Sequence, residues 1–393
     1  MSEENLRGVR IIAIARTIRW IGWGFGEPLL PLFMAMFAAT YAGAGLIRST
    51  YDIITLLALP VIGLLADRFP ARTLILFSLL LYPLVGLSYF LAGVTGFAVF
   101  VVLARVINGG LWGVESLSVD TYYRRMVSSE RLGRSFGYIS MLANFGWILA
   151  ALSGIWLVRI FPIYYLLVAV IPFSLIAYVI ARYAPIDRVS STVAPLTILT
   201  SYRTLFKRYV SFDRRLWTLG GIVFFGEIVT TLSTFFLPIY VYQETGNPTQ
   251  AIIIAVVSAI PSLLGYHLGM LVDWIGERAI FELGFLILSG ALTTIYFFPS
   301  WTVILVVILI IEIALVLMSL TEKTLLTKLS ASGIWGERAS AMEGLGVIGA
   351  IAGPIGVGIL FDSIGAQNTF ITLAAASVMM FIFAMWVFRQ SVT

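Results

Sequence analysis

Residues 301–320, WTVILVVILIIEIALVLMSL, hold one charged group, Glu312, near the middle of an otherwise apolar run. Twenty helical residues rise about 30 Å, the thickness of a bilayer's hydrocarbon core. An ionisable group at that depth costs at least about 2.5 kcal/mol, and it persists where it faces water, a partner or a cargo. Two other stretches repeat the pattern. RTIRWIGWGFGEPLLPLFMAMFAA (16–39) carries Glu27, and LWTLGGIVFFGEIVTTLSTFFLPIYV (216–241) carries Glu227. The chain reads as a membrane protein with a polar pathway through its interior.

Composition points the same way. With 60% hydrophobic residues, 11% charged residues and a mean hydropathy of +0.99, an ordinary soluble domain is excluded. Windows long enough to span fall near 17–38, 43–66, 74–92, 97–121, 136–157, 162–184, 216–240, 249–272, 280–298, 301–321, 339–361 and 367–388. They lack the alternation of outer-membrane strands, so the expected fold class is an all-α membrane protein with twelve transmembrane helices. The opening MSEENLRGVR carries acids and Arg, and no small-residue cleavage site follows a short apolar core. The first span is therefore expected to be a retained helix. The absence of Cys excludes disulfides, thiolate metal sites and Cys nucleophiles. A single His, His267, does not make a transition-metal centre. No strand-linked glycine-rich phosphate loop occurs, which leaves nucleotide-driven pumping without support. No enzyme activity, catalytic residue, metal or cofactor is expected.

The net charge of +5 reflects topology. With both termini cytoplasmic, all of the 25 Lys and Arg except Arg48, Arg105 and Arg159 fall in cytoplasmic segments or at their helix ends. That is the positive-inside bias, and no aromatic–basic interleaving suggests a nucleic-acid partner. The expected location is the plasma membrane, multi-pass. The longest polar stretch runs from Asp187 to Arg215. It divides the chain into a six-helix bundle (1–184), a cytoplasmic linker (185–215) and a second six-helix bundle (216–393). Lys207, Arg208, Arg214 and Arg215 in the linker suit anionic lipid headgroups.

The halves repeat one another. GLLADRFPAR (63–72) matches GMLVDWIGER (269–278), with Pro31 and Pro238 at similar distances upstream. Downstream, ERLGRSFG (130–137) corresponds to WGERASAMEG (335–344). Such internal repeats are typical of alternating-access transporters. These same residues resemble the major facilitator superfamily over essentially the whole chain. Gly63, Asp67, Arg68 and Arg72 match the family's signature loop between helices two and three, although Pro70-Ala71 replaces its Gly and basic residue. The second copy keeps Gly269, Asp273, Gly276 and Arg278, with Trp274 where a basic residue is usual. Arg105 and Gly109 in LARVINGGLWG resemble the fourth-helix motif.

The resemblance implies two pseudo-symmetric six-helix bundles and a central cavity lined by helices one, four, seven and ten. It places Glu27, Arg105, Glu115, Glu227 and Glu312 on those lining helices. It also implies a latch, in which Asp67 faces the N-terminus of span eleven near Arg338, while Gly63 lets two helix backbones approach closely. A buried carboxylate can carry a proton or pair with a cationic cargo, and Glu27, beside Trp20 and Trp23, is the first candidate for both. Trp112 offers a further wall, since indole faces attract organic cations. Asp52 either neutralises Arg48 four residues before it or adds a second cation ligand. Thr230, Thr231, Ser233 and Thr234 either bind cargo or bond back to their own helix.

Span five (NFGWILAALSGIWL) lacks the Gly-Pro motif of drug–proton antiporters, while GPIGVGIL (353–360) stands in span eleven. Asn108 and Asn144 are the main amides in the spans, too few for a typical sugar site. The expected function is proton-coupled secondary transport of a small organic solute, cationic or amphipathic and multidrug-efflux-like, by a monomer. Uptake of a nutrient or metabolite by symport stays open. So do a lipid-handling role, with Arg48 and Asp52 facing lipid, and a channel.

Overall fold

A computed structural model describes residues 3–127, 132–187, 214–329 and 335–389. The described residues are helical, without strands. The chain divides into two compact units, Met1–Phe37 with Thr50–Arg203 and Ala38–Ser49 with Thr204–Thr393. The linker expected at 185–215 lies almost wholly outside the described residues.

The first unit contains α1 (Glu3–Gly24), a 3₁₀ turn (Glu27–Leu29), α2 (Leu30–Ala35), most of α3 (Tyr41–Arg68), α4 (Ala71–Thr95), α5 (Ala98–Met126), α6 (Leu132–Leu157), α7 (Ile163–Val168) and α8 (Val170–Ala181). Helix α1 packs on α6 and α8, and α4 packs on α5 and α8. The second unit contains α9 (Arg214–Thr231), a five-residue π-helical stretch (Leu232–Phe236), α10 (Leu237–Thr245), α11 (Pro248–Leu263), α12 (Gly265–Ile275), α13 (Glu277–Phe297), α14 (Trp301–Leu329) and α15 (Trp335–Arg389). Here α15 packs on α9 and α13, and α13 on α14.

Nine helices among the described residues are long and apolar enough to cross a membrane, and the bent pair α11–α12 makes a tenth. The bend falls between α11 and α12, just after Pro261, which has no N–H to give to the hydrogen-bond ladder. Helix α15 counts once but holds Gly365 at φ 83°, a left-handed break that makes it two spans. The leading segment is not among these spans: α1 begins at Glu3, well before the expected start at 17, and carries Arg7, Arg10, Arg16 and Arg19.

The repeated prolines have a common local role. Pro31 is the second residue of α2, after the 3₁₀ turn, and Pro238 the second of α10, after the π-helical stretch. Proline has no N–H to give to the helical ladder, and each sits at such an irregular turn. Within the second unit, the start of α3 is tied to α15. Asp362 accepts from the N–H groups of Tyr41 and Ala42 at 2.9 and 2.8 Å, and Ser49 Oγ donates to the Ile351 carbonyl at 2.7 Å. A Cβ at Gly45 would run into the carbonyl of Pro354, and one at Gly358 into Ala42. The GPIGVGIL segment thus works as a small-residue crossing surface.

Candidate functional site

The first unit buries a polar cluster at the break in its leading helix. Arg19 on α1 and Glu115 on α5 form an ion pair at 2.8 Å, with side chains 2% and 3% exposed. The guanidinium carbon lies 5.3, 5.0 and 5.5 Å from the rings of Trp20, Tyr82 and Trp112. Trp20 and Trp112 meet edge-to-face at 5.7 Å, and buried Trp23 meets Tyr82 the same way at 6.3 Å. Glu27 opens the 3₁₀ turn, half-buried, and accepts from Trp147 Nε1 on α6 at 2.7 Å. Trp20 and Trp112 therefore surround the protein's own cation. Arg19 escapes a sequence reading because it looks like one more basic residue near a helix end.

Arg105 is buried on α5 with its guanidinium 4.6 Å from the Tyr51 ring. At its motif neighbour Gly109 the backbone of α5 closely approaches α3. A Cβ there would run into the Tyr51 carbonyl, and Thr55 Oγ1 donates to the Gly109 carbonyl at 3.1 Å. Asp52 is buried on α3, and Arg48 lies half-buried one turn before it.

The second unit carries a different acid site. Glu312, 8% exposed on α14, accepts from Ser233 Oγ at 2.7 Å. Ser233 lies in the π-helical stretch, whose wider turn sets its hydroxyl towards α14; π-bulges recur at functional sites. Among the described residues no basic side chain is ion-paired with Glu312, whereas Glu115 is paired with Arg19. Thr230 and Thr234 bond back to the carbonyls of Gly226 and Thr230. Ser233 Oγ also reaches back to the Thr230 carbonyl at 3.0 Å, and among the described residues it is the member of the predicted hydroxyl cluster that meets a buried acid. Glu227 is half-buried on α9 beside the position of Gly349. Glu322 on α14, not singled out in the sequence, is half-buried, with Lys323, Glu227 and Glu343 as its charged neighbours.

The signature loop is held within the first unit. Asp187 accepts from the N–H groups of Ala71 and Arg72 at 2.9 and 3.0 Å and pairs with Arg125 Nη1 at 2.5 Å. Arg125 Nη2 donates to the Ala66 carbonyl at 3.0 Å, and Arg72 Nη2 to that of Arg182. Arg68 is exposed at the end of α3. The side chain of Asp67, the expected latch, and that of Arg338 lie outside the described residues. At Gly63 a Cβ would meet no described atom within 4 Å, and the same holds for Gly269. The close backbone approaches on α3 belong to Gly45 and to the Gly109 crossing. In the second copy Gly276 adopts φ 89° to end α12, Arg278 pairs with Glu282 at 2.7 Å, and Asp273 is exposed. Asp187→Ala would leave Arg125 without its carboxylate and α4 without its cap. An expected loss of roughly 3 kcal/mol should appear as a fall of several degrees in the Tm of the purified protein.

Among the described residues, apolar spans that bury charged groups, an ion pair in one unit and a lone acid in the other, point to a solute transporter. Residues 12–333 match the Major Facilitator Superfamily, and the chain belongs to it. The quinolone resistance protein NorA of Staphylococcus aureus is 27% identical over 130 residues, and that match covers 33% of this chain and 33% of NorA. The chain thus spans about a third of the length of the curated relatives it matches. Among solved structures, the nucleoside transporter NupG superposes with a TM-score of 0.78 at 16% identity, covering 97% of this chain and 99% of that one. A POT family transporter in complex with 5-aminolevulinic acid gives 0.81 at 13%, covering 98% and 97%. The human organic anion transporter MFSD10 gives 0.67 at 18%, covering 98% and 100%. These likenesses show the fold.

Proposed function

We propose that this superfamily member is a proton-coupled exporter of amphipathic organic cations, acting as a monomer in the cell membrane with both termini cytoplasmic. The observation that carries the proposal is the contrast between two buried acids. Glu115 is neutralised by Arg19. Glu312 sits in the most apolar of the described spans, held by the Ser233 hydroxyl alone among the described residues. A proton can cancel that charge, and a carboxylate that takes up a proton in one state and releases it in the other couples proton flux to cargo flux. Glu27 and Glu227 would tune the same exchange. The partial likeness to NorA supports export, and the scarcity of amides in the spans argues against sugars. Asp67 would act as the latch of the cycle, biasing two states without touching cargo.

Purified protein in liposomes loaded with a pH-sensitive dye tests this. Adding ethidium outside should move protons across the membrane, and adding glucose should not. Proton movement with neither, or equally with both, would overturn the assignment.

A further inference from the structure

The Arg19 cluster has the composition of an organic-cation site that the protein fills itself. Trp20 on α1, Tyr82 on α4 and Trp112 on α5 turn their rings to one guanidinium at 5.0–5.5 Å. Glu115, one turn along α5 from Trp112 and so on the same helix face, supplies the counter-charge at 2.8 Å. Ring faces with a carboxylate recognise delocalised cations in general. The box makes little use of what distinguishes an arginine. A guanidinium has five N–H donors, yet the hydrogen bond formed here is Nε to Glu115, and Nη2 is buried with no acceptor among the described residues. Leaving a buried donor unmade is costly. A cation with spread charge and no N–H groups would satisfy the same box without that cost.

The geometry points to Arg19 as a tethered competitor. Cationic cargo binds by displacing its guanidinium from the Trp20–Tyr82–Trp112 box and taking over Glu115. Arg19 restores neutrality when the cargo leaves, so the site never stands empty as a bare buried carboxylate. Arg19 thereby sets a ceiling on cation affinity, which favours release. This inference rests on the reading of the protein as a cation exporter and names the subsite that holds the charge.

The test uses full-length protein in nanodiscs, with tetraphenylphosphonium as a cation lacking N–H groups and triphenylphosphine oxide as a neutral analogue. Arg19→Gln should bind tetraphenylphosphonium at least ~10-fold more tightly than the wild type, a change of 1.4 kcal/mol, and the oxide unchanged. Adding Glu115→Gln should erase the gain. Unchanged or weaker cation binding by Arg19→Gln would overturn the inference. If wild-type protein still exchanged ethidium for protons, the functional reading would stand without it. Should Arg19→Gln fail to fold, Trp112→Leu decides, because it keeps both charges. It should weaken tetraphenylphosphonium about 10-fold and spare the oxide, and equal affinity for the cation would contradict the box.

Discussion

Glu312→Gln is expected to abolish transport driven by a pH gradient, to the level of protein-free liposomes, while cargo-for-cargo exchange continues. The fold should survive because Ser233 Oγ, which donates to Oε1 at 2.7 Å, can donate equally to the glutamine carbonyl. What the substitution removes is the ability to take up and release a proton. The pattern separates coupling from binding, since a broken carrier loses both modes and an uncoupled one loses only the first. The check is paired measurement of gradient-driven uptake and counterflow in the same vesicles. Loss of both, with Tm unchanged, would assign Glu312 to the cargo step; retention of both would make it structural.

The ion pair of Arg19 and Glu115 should show the opposite signature, a large effect on stability from either single change. Both side chains are almost fully buried, so Glu115→Leu strands a guanidinium and Arg19→Met strands a carboxylate. Each should cost about 3–5 kcal/mol. Replacing both with apolar residues of similar volume, Arg19→Met with Glu115→Leu, should recover most of that loss. Thermal unfolding of the four proteins gives the coupling directly. Additive losses would mean that the two charges are not partners in the folded protein.

The spans are legible because a bilayer demands a run of apolar residues whatever the tertiary packing, and the paired prolines mark the irregular turns without any geometry. The acids are legible by the same rule, since a lone charge in an apolar run stands out. What escapes is partnership. Arg19 lies in a charged turn of α1 and looks like one more topological residue, and its burial depends on Glu115, 96 positions away in the chain. Asp187 looks like the start of a polar linker, although it caps α4 and holds Arg125. Ser233 cannot be separated from its neighbouring hydroxyls without the π-helical turn, because an ordinary helical period places it elsewhere. Gly63 shows the converse. Its motif suggests a tight crossing, and the described structure leaves open space at that position.

The central claim is that proton and organic cation exchange for one another across the membrane. Proteoliposomes prepared acid inside and diluted into alkaline buffer containing ethidium test it most directly. Ethidium should accumulate inside against its gradient and leak away when a protonophore collapses the pH difference. Equilibration to equal concentrations, unaffected by the pH difference or the protonophore, would contradict the account and describe a facilitator or channel instead.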